Sequence, residues 1–267
     1  MAAAVPAVAL VTGASRGIGR AIARKLADRG LVVALNFHRN ASAAREALAG
    51  LAAAPSREPV EHALFQADVA DATACVGLVA AVLQRYGRLD VLVNNAGLYE
   101  EHDPKAVGFA EWEKVWQRTL AANLSGPAHL SFLAARQMRT QTPGPASGGS
   151  RGRIINISSR GAFRGEPTAP AYGAAKAGLN SLGQSLARAL APEQIHVFTV
   201  APGWVATEMA QAHLAGPQGA EILAQHPLGR VATPEEVADT VAWLATDAPA
   251  SLTGCIIDLN GASYLRT

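Results

Sequence analysis

Short apolar runs alternate along the chain with longer stretches in which apolar residues recur every three or four positions. The runs are Ala7–Val11, Leu31–Asn36, His62–Gln66, Val91–Asn94, Arg153–Ile157, Ile195–Val200 and Cys255–Leu259. Helical periodicity fills Gly17–Asp28, Ser42–Leu51, Thr73–Tyr86, a long stretch Phe109–Arg139, Ala171–Leu190 and Pro234–Ala245. Near-continuous apolar runs mark strands buried on both faces, and the amphipathic stretches between them supply the cover. This alternation predicts βαβ units, hence an α/β fold with a parallel sheet and helices on both faces. Two stretches carry neither period. Residues 141–152, rich in Gly, Pro and Ser, predict a surface loop. Glu208–Gln225, after the Pro202-Gly203 turn, reads as irregular.

Composition narrows the class. With 267 residues, 49% hydrophobic and 16% charged, the chain can bury one large core, and residues 1–267 read as a single domain. A net charge of +2 without a basic run gives no reason to expect a nucleic-acid partner. Met1–Val11 is apolar but lacks a basic start and runs straight into a glycine-rich turn, so it reads as the first strand rather than a signal sequence. No stretch is long and apolar enough to span a bilayer, and a cytoplasmic protein is expected. Cys75 and Cys255 lack metal-ligand spacing and read as thiols of a reducing compartment; no metal is expected.

Two motifs carry chemistry. Thr12-Gly13-Ala14-Ser15-Arg16-Gly17-Ile18-Gly19 follows the first apolar run and opens the first helical stretch. Strand, glycine turn and helix start form the context of a phosphate-binding loop: glycines let backbone approach a pyrophosphate whose charge sits at the helix N-terminus. A turn without a ligand is the plain structural alternative. The second motif is Tyr172-Gly-Ala-Ala-Lys176 with Ser159 upstream. A free tyrosine, with a pKa of about 10, is a poor acid near neutrality. A lysine one turn along the same helix face favours the phenolate and lowers that pKa, while the serine can hydrogen-bond a carbonyl oxygen as charge develops on it. Alone, such a pair is ordinary surface chemistry; the glycine loop gives it weight.

Together these motifs resemble the short-chain dehydrogenase/reductase family, in its single-domain form. Asn94-Asn95-Ala96-Gly97, Asn123 and Pro202-Gly203-Trp204-Val205-Ala206-Thr207 follow the family pattern in order, so the resemblance spans nearly the whole chain. It implies a Rossmann-like, doubly wound seven-stranded sheet in the order 3-2-1-4-5-6-7. It also implies a catalytic set of Asn123, Ser159, Tyr172 and Lys176, with Asn123 positioning a water that relays protons through Lys176. For the cofactor it implies Gly13, Ser15, Arg16, Gly17, Ile18 and Gly19 in the loop. Asp68 and Val69 meet the adenine; Asn95, Ala96 and Gly97 wall the adenosine ribose. Tyr172 and Lys176 lie at the nicotinamide ribose, and Pro202, Gly203, Val205 and Thr207 lie around the nicotinamide and pyrophosphate. NAD-preferring members carry an acidic residue after the second strand, whereas here Asn36-Phe37-His38-Arg39-Asn40 has none. Arg39 and Arg16 can instead flank a 2′-phosphate, so NADP(H) is the expected cofactor; a solvated Arg39 is the alternative. Charge-assisted bonds contribute about 1.5–3 kcal/mol each.

The expected reaction is reduction of a carbonyl to a secondary alcohol. Within the family the chain looks closest to 3-oxoacyl-(acyl-carrier-protein) reductases, through His226-Pro227-Leu228-Gly229-Arg230, Thr233-Pro234-Glu235-Glu236 and Asn260-Gly261. That subgroup often has a basic docking residue before the sixth strand, whereas this chain has Glu193-Gln194, which speaks against a carrier-protein partner. Tyr99, Arg160, Phe163 and Trp204 are the expected substrate walls, with a solvent-facing Arg160 as the alternative. The rival readings are a sugar or polyol dehydrogenase of the family and a non-enzymatic NADP(H)-binding regulator. Glu208–Gln225 corresponds to the family's lid over the substrate. Small and apolar residues on more than one face of the Tyr172 helix leave room for a partner helix. The family resemblance, in which such helices pair and the last strand with Pro234–Ala245 makes a second interface, implies a homotetramer.

Overall fold

A computed structural model describes residues 6–52, 61–144, 149–217 and 219–266; residues 1–5 of the apolar start and 145–148 of the expected loop lie outside them. Strands β1 (Val8–Val11), β2 (Val32–Phe37), β3 (Ala63–Gln66), β4 (Val91–Asn94), β5 (Gly152–Ile157), β6 (Ile195–Pro202) and β7 (Ile256–Leu259) make one sheet in the order β3-β2-β1-β4-β5-β6-β7. Every pairing is parallel. The order turns back between β1 and β4, where Val11 pairs with Val93, and such a switch opens a crevice beyond the strand ends.

The helices are α1 (Gly17–Asp28), α2 (Ala41–Ala49), α3 (Ala72–Tyr86), α4 (Phe109–Leu120), α5 (Gly126–Thr140), α6 (Gly161–Arg164), α7 (Pro170–Leu190), α8 (Glu208–Ala215), α9 (Gly219–Ala224) and α10 (Pro234–Thr246). Successive strand residues face opposite sides of the sheet. Ala9 and Val11 of β1 enter a core with Ile22 and Leu26 of α1 and Val237 and Val241 of α10. Val8 and Leu10 enter the other, with Leu78 and Val82 of α3 and Leu130 and Met138 of α5. Each fully buried Val, Leu or Ile contributes about 1.5–3 kcal/mol, so both faces of β1 anchor the strand that leads into the glycine loop.

Local chemistry sets the helix ends. Asp71 caps α3 by accepting from the amides of Thr73 and Ala74, and Gly87 ends it in a left-handed conformation. Thr233 and Glu236 form a capping box on α10, with Pro234 in its first turn.

Two expectations change. The long helical stretch Phe109–Arg139 is interrupted by a π-helical segment, residues Ala121–Ser125, which joins α4 to α5. There the Gly126 amide donates five residues back, to the carbonyl of Ala121. Pro127 has no amide hydrogen, so the carbonyl of Asn123 loses its ordinary helical donor. Glu208–Gln225, expected to be irregular, holds the short helices α8 and α9; Thr207 caps α8 through Oγ1, which accepts from the Ala210 amide at 3.3 Å.

Candidate active site

The carboxyl ends of β1 and β4 build the glycine loop. Thr12 Oγ1 donates to the Val93 carbonyl at 3.2 Å and accepts from the amides of Asn95 and Ala96, both at 2.9 Å. Asn95 Nδ2 donates to the carbonyls of Thr12 (2.8 Å) and Gly13 (3.2 Å). Asn95, expected as part of a wall, thus also holds the loop in shape. Gly13 and Gly17 have φ of +61° and +52°, where a side chain would be strained. A Cβ on Gly19 would sit 2.3 Å from the Gly13 carbonyl oxygen, so only glycine lets the first turn of α1 close on the loop. Arg16, exposed, holds the N-cap position of α1 without a side-chain cap, and the first turn carries no acid. The first amides of α1 therefore suit an anion. Thr207 faces the same loop, its Cγ2 3.4 Å from where a Gly17 Cβ would lie. The cradle fits a dinucleotide pyrophosphate.

Toward the adenosine end, Asn36 ties the strands together. Its Oδ1 accepts from the Gly13 amide at 3.2 Å, and its Nδ2 donates to the carbonyls of Phe65 (3.2 Å) and Ala67 (3.1 Å). Buried and fully engaged, Asn36 braces the loop instead of reading a ribose. Arg39 is exposed just beyond β2. Asp68 Oδ1 accepts from the Ala70 amide at 3.0 Å, and its Oδ2 lies 3.5 Å from His38 Nε2. Val69 is buried beside it.

The groups expected to handle protons gather beyond β4 and β5. Ser158 is buried and donates to the Lys176 carbonyl at 3.3 Å, so it is spent on structure. Ser159, half-buried, accepts from the Gly161 amide at 3.0 Å and lies near enough to the Tyr172 phenol to act on its pKa. Burial pushes that phenol up to about 12, against the lowering effect of the neighbouring Ser159 hydroxyl. Lys176 Nζ donates to the Ile157 carbonyl at 2.8 Å and lies 5.7 Å from the centre of the Tyr172 ring. Burial pushes the Lys176 ammonium down to about 8. The anticipated lowering of the tyrosine by the lysine is therefore not what governs this arrangement: the ammonium is turned to a backbone carbonyl and desolvation dominates both groups. A Cβ on Gly97 would lie 3.4 Å from Asn123 Oδ1 and 3.6 Å from Lys176 Nζ, which puts all three residues at one spot. Asn123 is buried in the π segment, its amide bonded twice to the Leu98 backbone at 2.8 Å. What it can offer a water is its carbonyl, the group that Pro127 leaves without an ordinary helical donor.

Of the four expected wall residues, Tyr99 packs against Tyr172, and Trp204 joins it through His213. Tyr99 meets the Tyr172 ring edge-on at 5.1 Å and the His213 ring at 6.0 Å, and Trp204 lies 5.4 Å from the same histidine. The other two turn to the C-terminal tail. Phe163 lies under the Arg266 guanidinium at 4.5 Å, and Arg160 donates to Ser263 and Gln225. Val205 bridges to Ala232, and Gly203 donates to the Leu259 carbonyl at 3.0 Å, which fixes the turn after Pro202. His213 escaped the sequence reading because nothing in α8 marks it. His102 did too. It is buried, its Nε2 accepts from the Ala171 amide at 3.2 Å and its Nδ1 donates to the Glu100 carbonyl at 2.9 Å. It thereby caps α7, the helix that carries Tyr172 and Lys176 and has no cap of its own.

Among the described residues no cluster of His, Cys, Asp or Glu is placed to hold a metal ion, and no helix is long and apolar enough to cross a membrane. Cys75 and Cys255 are free; burial pushes the Cys75 thiol up to about 11.

Residues 13–261 match a family described as enoyl-(acyl carrier protein) reductase. An uncharacterized oxidoreductase of Methylorubrum extorquens is 38% identical over 262 residues, 95% of this chain and 96% of its own length. The 3-oxoacyl-(acyl-carrier-protein) reductase of Staphylococcus aureus is 37% identical over 257 residues, 96% of this chain and 98% of its own. That of Escherichia coli is 36% identical over 259 residues, 97% of each chain. A crystal structure of a dehydrogenase/reductase from Sinorhizobium meliloti superposes with a TM-score of 0.84 at 30% identity, covering 98% of this chain and 97% of that one.

Proposed function

Because the chain belongs to the short-chain dehydrogenase/reductase family, we propose that it reduces a carbonyl to a secondary alcohol at Ser159, Tyr172 and Lys176 with NADP(H). One observation carries this reading: Lys176 Nζ lies 5.7 Å from the centre of the Tyr172 ring, and a Cβ on Gly97, just past β4, would lie 3.4 Å from Asn123 Oδ1 and 3.6 Å from Lys176 Nζ, beside the glycine loop that Asn95 holds. The loop residues Gly13 to Gly19, with Thr207, would hold the dinucleotide. Bound NADPH supplies the hydride.

Ser159 holds the carbonyl oxygen and Tyr172 gives it a proton as negative charge develops there. A phenol pushed up to about 12 keeps its proton until that charge appears, and an alkoxide is a far stronger base than a phenolate. Lys176, at about 8, both donates and recovers a proton near neutrality, which suits it to restoring the phenol through a water on the Asn123 carbonyl. The Tyr99 ring packs against Tyr172, and the His213 and Trp204 rings continue from it as an aromatic cluster.

The substrate class the relatives favour is a 3-oxoacyl thioester. Glu193 pairs with Arg139, which cancels positive charge where an acidic carrier protein would be read, and so favours a small thioester over a carrier-bound one. Assembly as a homotetramer is supported by the exposed small-residue face of α7, Ala174, Ala177 and Ser181. The test is NADPH oxidation against matched 3-oxoacyl thioesters and simple ketones, with Tyr172→Phe as control. That variant should lose about 10²–10⁴ in turnover while binding NADPH as tightly as wild type. Wild-type turnover in Tyr172→Phe would remove the assignment.

A further inference from the structure

Arg160 follows the serine of the site, and the structure turns it inward. Its amide donates to the Pro202 carbonyl at 2.8 Å, pinning its backbone to the end of β6. Its side chain, 3% exposed, reaches two segments distant in sequence. Nη2 donates to Gln225 Oε1 at 3.0 Å, just past α9 at the end of the 208–225 run. Nη1 donates to Ser263 Oγ at 2.6 Å, in the tail that follows β7. None of the ion pairs among the described residues includes Arg160. Burial, with repulsion from Arg164, pushes its pKa down to about 10.

A buried cation held by neutral acceptors is costly, and an apolar side chain of similar volume would fill the space without that cost. What the guanidinium adds is direction. Its planar fork is satisfied only when residue 225 and residue 263 stand in one arrangement, and a buried donor left unmet is penalised. The tail itself is ordered around the same spot: Asn260 Nδ2 donates to the Tyr264 carbonyl at 2.9 Å, and Arg266 covers Phe163. Arg164 also donates to Gln225 Oε1, at 3.2 Å, from an exposed position.

We propose that Arg160 is a positioning residue, a latch that fastens the 208–225 segment and the C-terminal tail to the loop carrying Ser159, and that it sets substrate affinity by holding the closed arrangement. This rests on reading residues 208–225 as the lid over the carbonyl site. Arg160→Met should raise KM for the carbonyl substrate about tenfold, the equivalent of one charge-assisted hydrogen bond. The kcat should stay within about threefold and NADPH affinity within about twofold of wild type, as expected of an effect on the ground state of lid closure. Gln225→Ala should reproduce most of the KM change, and the double variant should add little to Arg160→Met, because the shared contact is already gone and what is left to lose is the exposed Arg164–Gln225 bond.

Limited chymotrypsin cleavage within 208–225, where Leu214 and Leu223 are targets, should accelerate several-fold in either single variant without any substrate present. If Arg160→Met does not fold, Gln225→Glu carries the test: a carboxylate facing the guanidinium should slow cleavage and lower KM. Wild-type cleavage and KM in Gln225→Ala would overturn the latch. Faster cleavage with unchanged KM would overturn the lid reading, and the claim on substrate affinity with it. Neither result touches the Tyr172 assignment, which its own variant tests.

Discussion

Lys176 and Tyr172 show what burial does to a proton-transfer pair. The ammonium is pushed down to about 8 and the phenol up to about 12, so across the accessible pH range only the lysine changes charge. The kcat/KM for reduction should be level below about pH 8 and fall as pH rises through it, since the protonated lysine is the active form. Lys176→Arg keeps the charge at all accessible pH, so a limb that stays near 8 in that variant would assign the titration elsewhere. The same shift has a stability consequence. The unfolded lysine holds its proton up to about 10.5 while the folded one releases it near 8, so the fold gains stability between those values. At the adenosine end, Arg39 is exposed just beyond β2 and Arg16 at the start of α1, and the run Asn36–Asn40 carries no carboxylate. NADPH should bind at least about tenfold tighter than NADH, a margin of about 1.4 kcal/mol that shrinks as salt rises. Equal affinities by fluorescence titration would refute the preference.

At the scale of elements, the segment Ala121–Ser125 decides where Asn123 points. A 3.6-residue period runs through α4 and α5 with little disturbance, so sequence periodicity reads one helix there. The signals for the bulge were Gly126 and Pro127. A Cβ on Gly126 would lie 2.3 Å from the Val69 carbonyl oxygen, a backbone atom that cannot step aside. Gly126→Ala should therefore shift the π segment, lower the midpoint of thermal unfolding, and cut turnover by displacing Asn123. An unchanged kcat beside a lowered midpoint would separate the bulge from catalysis. Helix α7 shows a similar division. Its register placed Tyr172 and Lys176 on one face in sequence, yet its N-terminus depends on His102, a residue 69 positions away that no local pattern connects to it.

For the whole molecule, the surface left by one chain is informative. Ala174, Ala177 and Ser181 leave a shallow exposed face on α7, while Phe109 (82% exposed) and Phe132 (60%) stand out on α4 and α5. Trp243 of α10 and Leu265 of the tail are exposed as well. Large apolar side chains left in solvent, together with small residues that admit a close helix, favour two separate contacts between copies. Light scattering at micromolar concentration should give four chains; a stable monomer would refute this, and a dimer would retain only the α7 contact. The sequence by itself determined the strands, the glycine loop and the placing of Tyr172 and Lys176 on one helix face, because each rests on local spacing: strand runs, a turn that needs glycine, a helix face repeating every turn. The strand order and the role of Ser159 came from the family resemblance. Only the tertiary structure decided which side chains those spacings bring together. It spent Ser158 and Asn36 on backbone and turned Arg160 from the pocket to the tail. It also brought His213 against Tyr99 and Trp204. Such choices depend on which buried donors and acceptors find partners across the fold, and burial, set by the packing of the whole chain, fixes the charge that Lys176 and Tyr172 carry.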